Sequence, residues 1–203
     1  TGVAGFIGFS LSNHLLKKNY KIFGIDNLDD YYDVNLKKKR LAILKKFKNF
    51  NFKKVDINNF AKTENIFKKK KIDYVFNFAA QAGVRYSIRH PRKYIDTNIK
   101  GFFNIIECVK KFKVKRLFYA SSSSVYGENN NFPLHEKEKI MPKNIYALSK
   151  KINEEISFIY ENFYNVKSIG LRFFTVYGEW GRPDMMVIKY VNSYFRKKHF
   201  ELF

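Results

Sequence analysis

The chain has 203 residues, 45% of them hydrophobic, and a formal net charge of +21, which fits one domain with a sizeable core. Its one cysteine, Cys108, excludes an intramolecular disulfide and a multi-thiolate metal site. No apolar run approaches the ~20 residues needed to span a bilayer, so no membrane partner is expected, and a cytoplasmic location suits the cysteine usage.

The positive charge is spread along the chain beside abundant Asn, Ile, Phe and Tyr, the bias of an AT-rich genome. Specific nucleic-acid binding is therefore not expected, although attraction toward any anionic ligand follows from the charge. The runs Lys37–Arg40 and Lys68–Lys71 read as solvated faces of surface helices.

In chain order, a glycine-rich turn opens into a helix over Phe6–Lys18, followed by a strand over Lys21–Ile25 and a helix over Leu36–Phe47. A strand over Asn51–Val55, a helix over Thr63–Lys70 and a strand over Tyr74–Phe78 come next. Then follow a long helix over Tyr94–Phe112, a strand over Arg116–Ser121, a helix over Ala147–Tyr164 and a strand over Lys167–Arg172. Near-continuous apolar runs in the strands, alternating with amphipathic helices, predict an α/β fold with a Rossmann-like, doubly wound parallel sheet. The two long helices carry more apolar surface than one sheet face needs, through Ile95, Ile99, Phe102, Phe103, Ile105 and Ile106 and through Ile152, Ile156, Phe158, Ile159 and Phe163. A homodimer packed through them is expected. No linker or internal repeat is visible. The opening on a glycine turn without a preceding strand, and a strand-like beginning at His199–Phe203, read as a chain truncated at both ends.

Thr1–Gly8 reads T-G-V-A-G-F-I-G. Gly2 and Gly5 permit tight turning and close approach of a pyrophosphate to a helix N-terminus, and Gly8 permits close packing of that helix. The next strand ends at Asp26, close to the ~20 residues after the turn at which an acid binds the adenosine ribose. A carboxylate there favours NAD over NADP, because it repels a 2′-phosphate. Asp56 and Ile57 stand where an adenine edge could be read, and an Asx turn is an equal reading of Asp56.

Five segments now carry a resemblance: T-G-V-A-G-F-I-G, N-F-A-A-Q (Asn77–Gln81), S-S-S-S-V-Y-G (Ser121–Gly127), Y-A-L-S-K (Tyr146–Lys150) and L-R-F-F-T-V-Y-G (Leu171–Gly178). In this order the chain resembles an extended short-chain dehydrogenase/reductase of the NAD-dependent epimerase/dehydratase group. D-N-L-D-D-Y-Y-D-V (Asp26–Val34), A-A-Q-A-G-V-R-Y-S (Ala79–Ser87) and T-V-Y-G-E-W-G-R-P-D-M (Thr175–Met185) are similar to the UDP-glucuronate 4-epimerase branch.

The resemblance implies that residues 1–203 form an NAD-binding domain without its first strand and without most of a C-terminal substrate domain. It implies that the isolated chain does not turn over a sugar nucleotide. Phe6 and Ile7 resemble the pair over the pyrophosphate, and Phe78, Ala79, Ala80 and Gln81 resemble the strand end beside the nicotinamide. Asn98 matches a helix asparagine near the cofactor, and Phe174 a backbone neighbour of the nicotinamide. Ser122, Tyr146 and Lys150 match the catalytic set. Thr175, Arg182, and Ser123 or Ser124 are the polar candidates for holding a uronate, and Arg85 faces either the pyrophosphate or the uronate.

Tyr146 and Lys150 are four apart, so on a helix they share one face. A nearby ammonium stabilises a phenolate, which can take the proton of a sugar hydroxyl as hydride leaves the same carbon for NAD⁺. Lys150 can also hold the nicotinamide ribose, and Ser122 can orient the same substrate oxygen. Oxidation at C4, reorientation of the 4-keto sugar and return of the hydride give epimerisation. For a uronate, the site must also disfavour loss of CO₂ from the keto acid. The alternative is a dehydratase or UDP-glucuronate decarboxylase of the same family, but these typically carry an acid where this chain has Ser124. A non-catalytic NAD- or RNA-binding protein is the second alternative. His14, His90, His135 and His199 lack metal spacing and are given no role, and Tyr126, Tyr177 and Trp180 are expected to pack.

Overall fold

Strands β1 (Ile22–Asp26) and β2 (Phe50–Lys54) pair in parallel, as do β3 (Tyr74–Asn77) with β4 (Arg116–Ser122) and β4 with β5 (Ser168–Phe173). The structure is a computed structural model describing residues 1–129, 132–197 and 199–200. The opening residues lie between the two groups of strands. Val3 N donates to Ile25 O at 3.3 Å and the Thr1 nitrogen to Phe76 O at 2.7 Å. The spatial order is thus β2, β1, residues 1–3, β3, β4, β5, with all strand pairing parallel. This is the doubly wound arrangement expected from the alternation of apolar runs.

Helices cover both faces. On one side α1 (Phe6–Lys17) and α2 (Val34–Leu44) bury Phe9, Leu16, Leu41 and Leu44 against Val3 and Phe50. On the other, α3 (Phe60–Lys69), α6 (Gly101–Lys111) and α7 (Ile145–Tyr164) close over β3 and β4 through Ile66, Phe102, Ile105, Ile106, Leu117 and Tyr160. Burial of such side chains is worth about 1.5–3 kcal/mol each and dominates the favourable side of folding. Burial on both strand faces is reached at the end of β1 (Gly24, Ile25 and Asp26) and of β4 (Ser121 and Ser122). The rest of β4 beyond Arg116 alternates buried with half-buried residues, and the outer strands β2 and β5 are mostly exposed or half-buried.

The long helix predicted over Tyr94–Phe112 is composite. It follows α4 (Val84–Arg89) and starts at α5 (Pro91–Tyr94), passes through a π-helical turn over Ile95–Lys100, and continues as α6. The widened turn falls at Asn98, whose carbonyl accepts from Asn153 Nδ2 at 2.7 Å instead of serving only its own helix. Asn144 caps α7 by accepting from Ala147 N at 2.9 Å, which starts that helix two residues before the predicted boundary.

Phe103, Phe158, Ile159 and Phe163 are exposed on α6 and α7, as the surplus apolar pattern predicts. The reading of Lys37–Arg40 as a solvated face needs correction. Lys38 and Lys39 are exposed, but Lys37 is buried and Arg40 is fully buried, because they lie on the inward stripe of α2 with Leu41 and Leu44. Lys68–Lys71 is exposed as expected. The strand expected at His199–Phe203 is absent at His199 and Phe200, and Glu201–Phe203 lie outside the described residues. Among the described residues, no helix is long and apolar enough to cross a membrane.

Candidate active site

A cleft of about 820 Å³ runs along the C-terminal ends of the strands, at the upper end of the usual size for a small-molecule site. One end is the turn after Thr1. Gly2 has φ +66°, and a Cβ there would sit 2.6 Å from Ala79 N. A Cβ on Gly8 would sit 2.2 Å from Gly2 O. Both positions therefore require glycine: the first for its left-handed backbone, the second because α1 rests on the turn itself. No acid occupies the first turn of α1, so its free N–H groups offer the cleft an anion site.

Asp26 closes β1 and is buried. Its Oδ2 accepts from Ala4 N at 3.0 Å and its Oδ1 from Leu28 N at 2.8 Å. A carboxylate has about four lone-pair sites, so each oxygen keeps capacity for a ligand hydroxyl. Asx turns at Asn27 and Asp29 wind the following loop, through bonds to Asp29 N and Tyr31 N. Asp56 likewise makes an Asx turn with Asn58 N at 2.8 Å and takes a bond from Asn27 Nδ2 at 3.0 Å. It and Ile57 line the cleft.

The other end gathers the serine run and α7. Ser122 is buried at the end of β4, and its Oγ accepts from Ser124 N at 3.2 Å, capping a 3₁₀ turn over Ser123–Tyr126. Lys150 is buried, donates to Ala120 O at 2.7 Å, and places Nζ 5.9 Å from the Tyr146 ring centroid. Burial pushes its ammonium down to about 8, which leaves it mostly cationic at neutral pH. Tyr146 stands edge-on to the buried Tyr94 at 6.1 Å, whose hydroxyl donates to Ala82 O and Gly83 O.

The cleft therefore brings together Gly2, Gly5, Phe6, Ile7, Gly8, Asp26, Asp56, Ile57, Phe78, Ala79, Ala80, Gln81, Arg85, Ser122, Ser123, Ser124, Tyr146, Lys150, Phe174, Thr175 and Arg182. Asn98 is the exception: it lies behind the lining. Its side chain accepts from Gln81 N at 2.8 Å and donates to Gln81 O and Ser149 Oγ, so it holds the wall in place without facing the cavity. Tyr126 is buried as expected, but its hydroxyl also accepts from Arg172 Nη1 at 3.1 Å. Trp180 packs edge-on to Phe9 at 5.8 Å. Tyr177 does not pack: the chain has left the sheet there and the ring is exposed.

Several participants escape sequence reasoning. Arg40 donates to Ala4 O, Tyr32 Oη, Trp180 O and Gly181 O, tying the glycine turn to the segment that carries Arg182. Arg182 grips Asp184 through Nε at 3.0 Å and through Nη2, and Tyr31 Oη donates to the same carboxylate at 3.1 Å. Burial works against ionised Asp184, but the guanidinium outweighs it and holds the carboxyl below its ordinary range. Arg182 thus enters the cleft already paired, not as a lone cation. Lys37 lines the cleft near Asp26, bonds Asp29 O at 2.6 Å and lies 4.5 Å from the centre of the Tyr32 ring. Burial pulls its ammonium downward.

A family model described as GDP-mannose 4,6 dehydratase matches residues 1–199. Protein CapI of Staphylococcus aureus is 48% identical over 95% of this chain and 58% of that protein. A UDP-glucuronate 4-epimerase of Thermodesulfobacterium geofontis is 43% identical over 100% of this chain and 63% of the relative. The fold superposes with TM-score 0.93 at 30% identity on a point mutant of UDP-glucuronic acid 4-epimerase from Bacillus cereus, solved with UDP-4-deoxy-4-fluoro-glucuronic acid and NAD. That match covers 100% of this chain and 64% of the neighbour. The chain thus spans roughly three fifths of the length of each of these three proteins. Motif order, sheet topology, cleft and family match converge: the chain belongs to the extended short-chain dehydrogenase/reductases, in the epimerase/dehydratase family.

Proposed function

We propose that residues 1–203 are the NAD-binding domain of a nucleotide-sugar 4-epimerase that converts UDP-glucuronate to UDP-galacturonate through a transient 4-keto sugar. The observation that carries the reading is the meeting of Ser122, Tyr146 and Lys150 with Thr175 and Arg182 in one cleft that begins at the glycine turn. The complexes of the Bacillus cereus neighbour support it.

The residues present fit a dinucleotide. The turn leaves no room for a Cβ at Gly2 or Gly8, so it packs tightly on β3 and α1, and the uncapped N-terminus of α1 would offer its free N–H groups to a pyrophosphate. Asp26 would take the adenosine ribose, Asp56 and Ile57 the adenine, and Lys150 the nicotinamide ribose. Phe78, Ala79, Ala80, Gln81 and Phe174 would flank the nicotinamide. Bound NAD supplies the acceptor and donor of hydride.

Tyr146 takes the proton of the C4 hydroxyl and returns it, Ser122 holds the same oxygen, and the Lys150 ammonium favours the phenolate. Thr175 with Ser123 or Ser124 binds the uronate carboxylate and fixes the plane in which it sits, which disfavours loss of CO₂. Arg182, braced by Asp184, and Arg85 meet the remaining anionic groups of the substrate. Ser124 carries no acid that could drive elimination, which argues against a dehydratase or decarboxylase.

The exposed apolar stripe of Phe103, Phe158, Ile159 and Phe163 supports a homodimer; sedimentation of the full-length protein at twice the monomer mass is expected. The catalytic reading is tested by incubating full-length protein with UDP-glucuronate and NAD⁺. UDP-galacturonate is expected. A UDP-pentose product would favour the decarboxylase, and no product from any uronate would move the substrate to a neutral sugar.

A further inference from the structure

Behind the serine run lies an ion pair that the chemistry above does not use. Glu154 follows Lys150 by one helical turn on α7, so both face β4. Lys150 holds Ala120 O at 2.7 Å, and Glu154 Oε1 accepts from the next residue on β4, Ser121 Oγ, at 2.5 Å. Arg172 of β5 braces that carboxylate twice, Nε to Oε1 at 3.0 Å and Nη2 to Oε2 at 2.8 Å. Its remaining nitrogen, Nη1, donates to Tyr126 Oη at 3.1 Å and to Glu136 O at 2.9 Å, with the guanidinium 4.9 Å from the Tyr126 ring centre. Both side chains are only 17% exposed. The pair thus grips the serine run at each end: Ser121 before it, Tyr126 after it. Only Ser122 to Val125 lie between.

We infer that Glu154 and Arg172 are positioning residues that set the Ser122–Ser124 turn against Tyr146. The inference rests on the epimerase reading for its kinetics but not for its geometry. A 3₁₀ turn is short and weakly self-supporting, so its placement depends on what anchors its ends. An anchor built from a half-buried, bidentate pair favours one geometry, because a displaced partner would leave a partly desolvated charge unpaired. Mispositioning by about 1 Å is enough to cost on the order of 10²-fold in rate.

The test compares Glu154→Ala, Glu154→Gln and Ser121→Ala in the full-length protein. Glu154→Ala is expected to lower kcat by roughly 10- to 100-fold, with KM and NAD content within about 2-fold of the parent protein. Glu154→Gln keeps an acceptor for Ser121 and should recover most of the loss. Ser121→Ala should lower kcat by a smaller factor and add little in the Glu154→Ala background, since the two share one contact. Crystal structures of the three variants report Ser122 directly, and a displacement relative to Tyr146 is expected in Glu154→Ala but not in Glu154→Gln. If Glu154→Ala fails to fold, Ser121→Ala and Glu154→Gln carry the comparison. An unmoved serine turn, or equal falls in kcat and NAD content, would overturn the inference. Should the parent protein leave UDP-glucuronate unchanged, the substrate reading falls while the position of Ser122 still decides this one.

Discussion

The glycine turn and the serine turn stand at opposite ends of one cleft and are held in opposite ways. The first takes its shape mainly from its own backbone, with Arg40 and Asp26 holding Ala4 from outside. Gly5 N bonds Gly2 O at 2.9 Å, and α1 packs where Gly8 has no side chain. The second is held by side chains from elsewhere: Lys150 and Glu154 from α7 and Arg172 from β5. A site shaped by backbone is written in consecutive residues, whereas a site shaped by remote side chains is scattered along the chain. The two ends should therefore break differently under mutation.

The largest effect is expected at the reacting end. Tyr146→Phe removes the phenolic oxygen alone, and kcat should fall by on the order of 10³-fold while NAD binding stays near normal. Rate assays alongside cofactor titration check this; loss of NAD binding would mean the tyrosine is structural.

At the glycine turn the damage should appear in folding and cofactor binding together. Gly2→Ala sets a Cβ 2.6 Å from Ala79 N and 2.7 Å from the Phe78 carbonyl carbon, both backbone atoms that cannot give way, at φ +66°. A loss of about 3 kcal/mol is expected in urea unfolding, with NAD affinity reduced. An alanine tolerated with full stability would show that the turn is more pliant than its geometry implies.

Lys150, buried at the reacting end, gives a pH signature. Its ordinary value is 10.5 and the folded value is about 8. Between these the unfolded chain binds more protons, so stability should rise with pH from about 8 to 10.5 and be lost as pH falls back through 8. The contribution is on the order of 3 kcal/mol. Lys150→Met should flatten that rise in denaturation curves recorded across the window; the same slope in both proteins would place the ammonium in solvent.

The smallest effect concerns selectivity. Asp26→Asn keeps an acceptor for only one of Ala4 N and Leu28 N, because an amide has a single oxygen, and removes the charge that repels a 2′-phosphate. The preference for NAD over NADP should narrow by about 10-fold, roughly 1.4 kcal/mol. Parallel titrations with both cofactors measure it.

The same contrast explains what was legible beforehand. Five strands are readable from apolar runs, the glycine turn and the Tyr146/Lys150 pair from motifs complete within a few residues, Asp26 from its spacing after the turn, and Ser122 from the resemblance. Arg40 was not, since a basic run normally faces water; yet Lys37, Arg40, Leu41 and Leu44 form one inward stripe at helical spacing, and that period was the available signal. The brace of Asp184 and Tyr31 on Arg182 joins residues 153 apart in sequence, beyond any local pattern. Asn98, expected near the cofactor, lies behind the cleft wall on Gln81 and Ser149, within a π-helical turn that helical periodicity does not encode.

On the proposed mechanism a hydride leaves C4 of the sugar and returns to the same carbon within this cleft, with Tyr146 moving only the hydroxyl proton. UDP-glucuronate deuterated at C4, incubated in ordinary water with the full-length protein and NAD⁺, tests it most directly. UDP-galacturonate that retains deuterium at C4 is expected. Epimerised product that has exchanged the label for solvent hydrogen would contradict the mechanism.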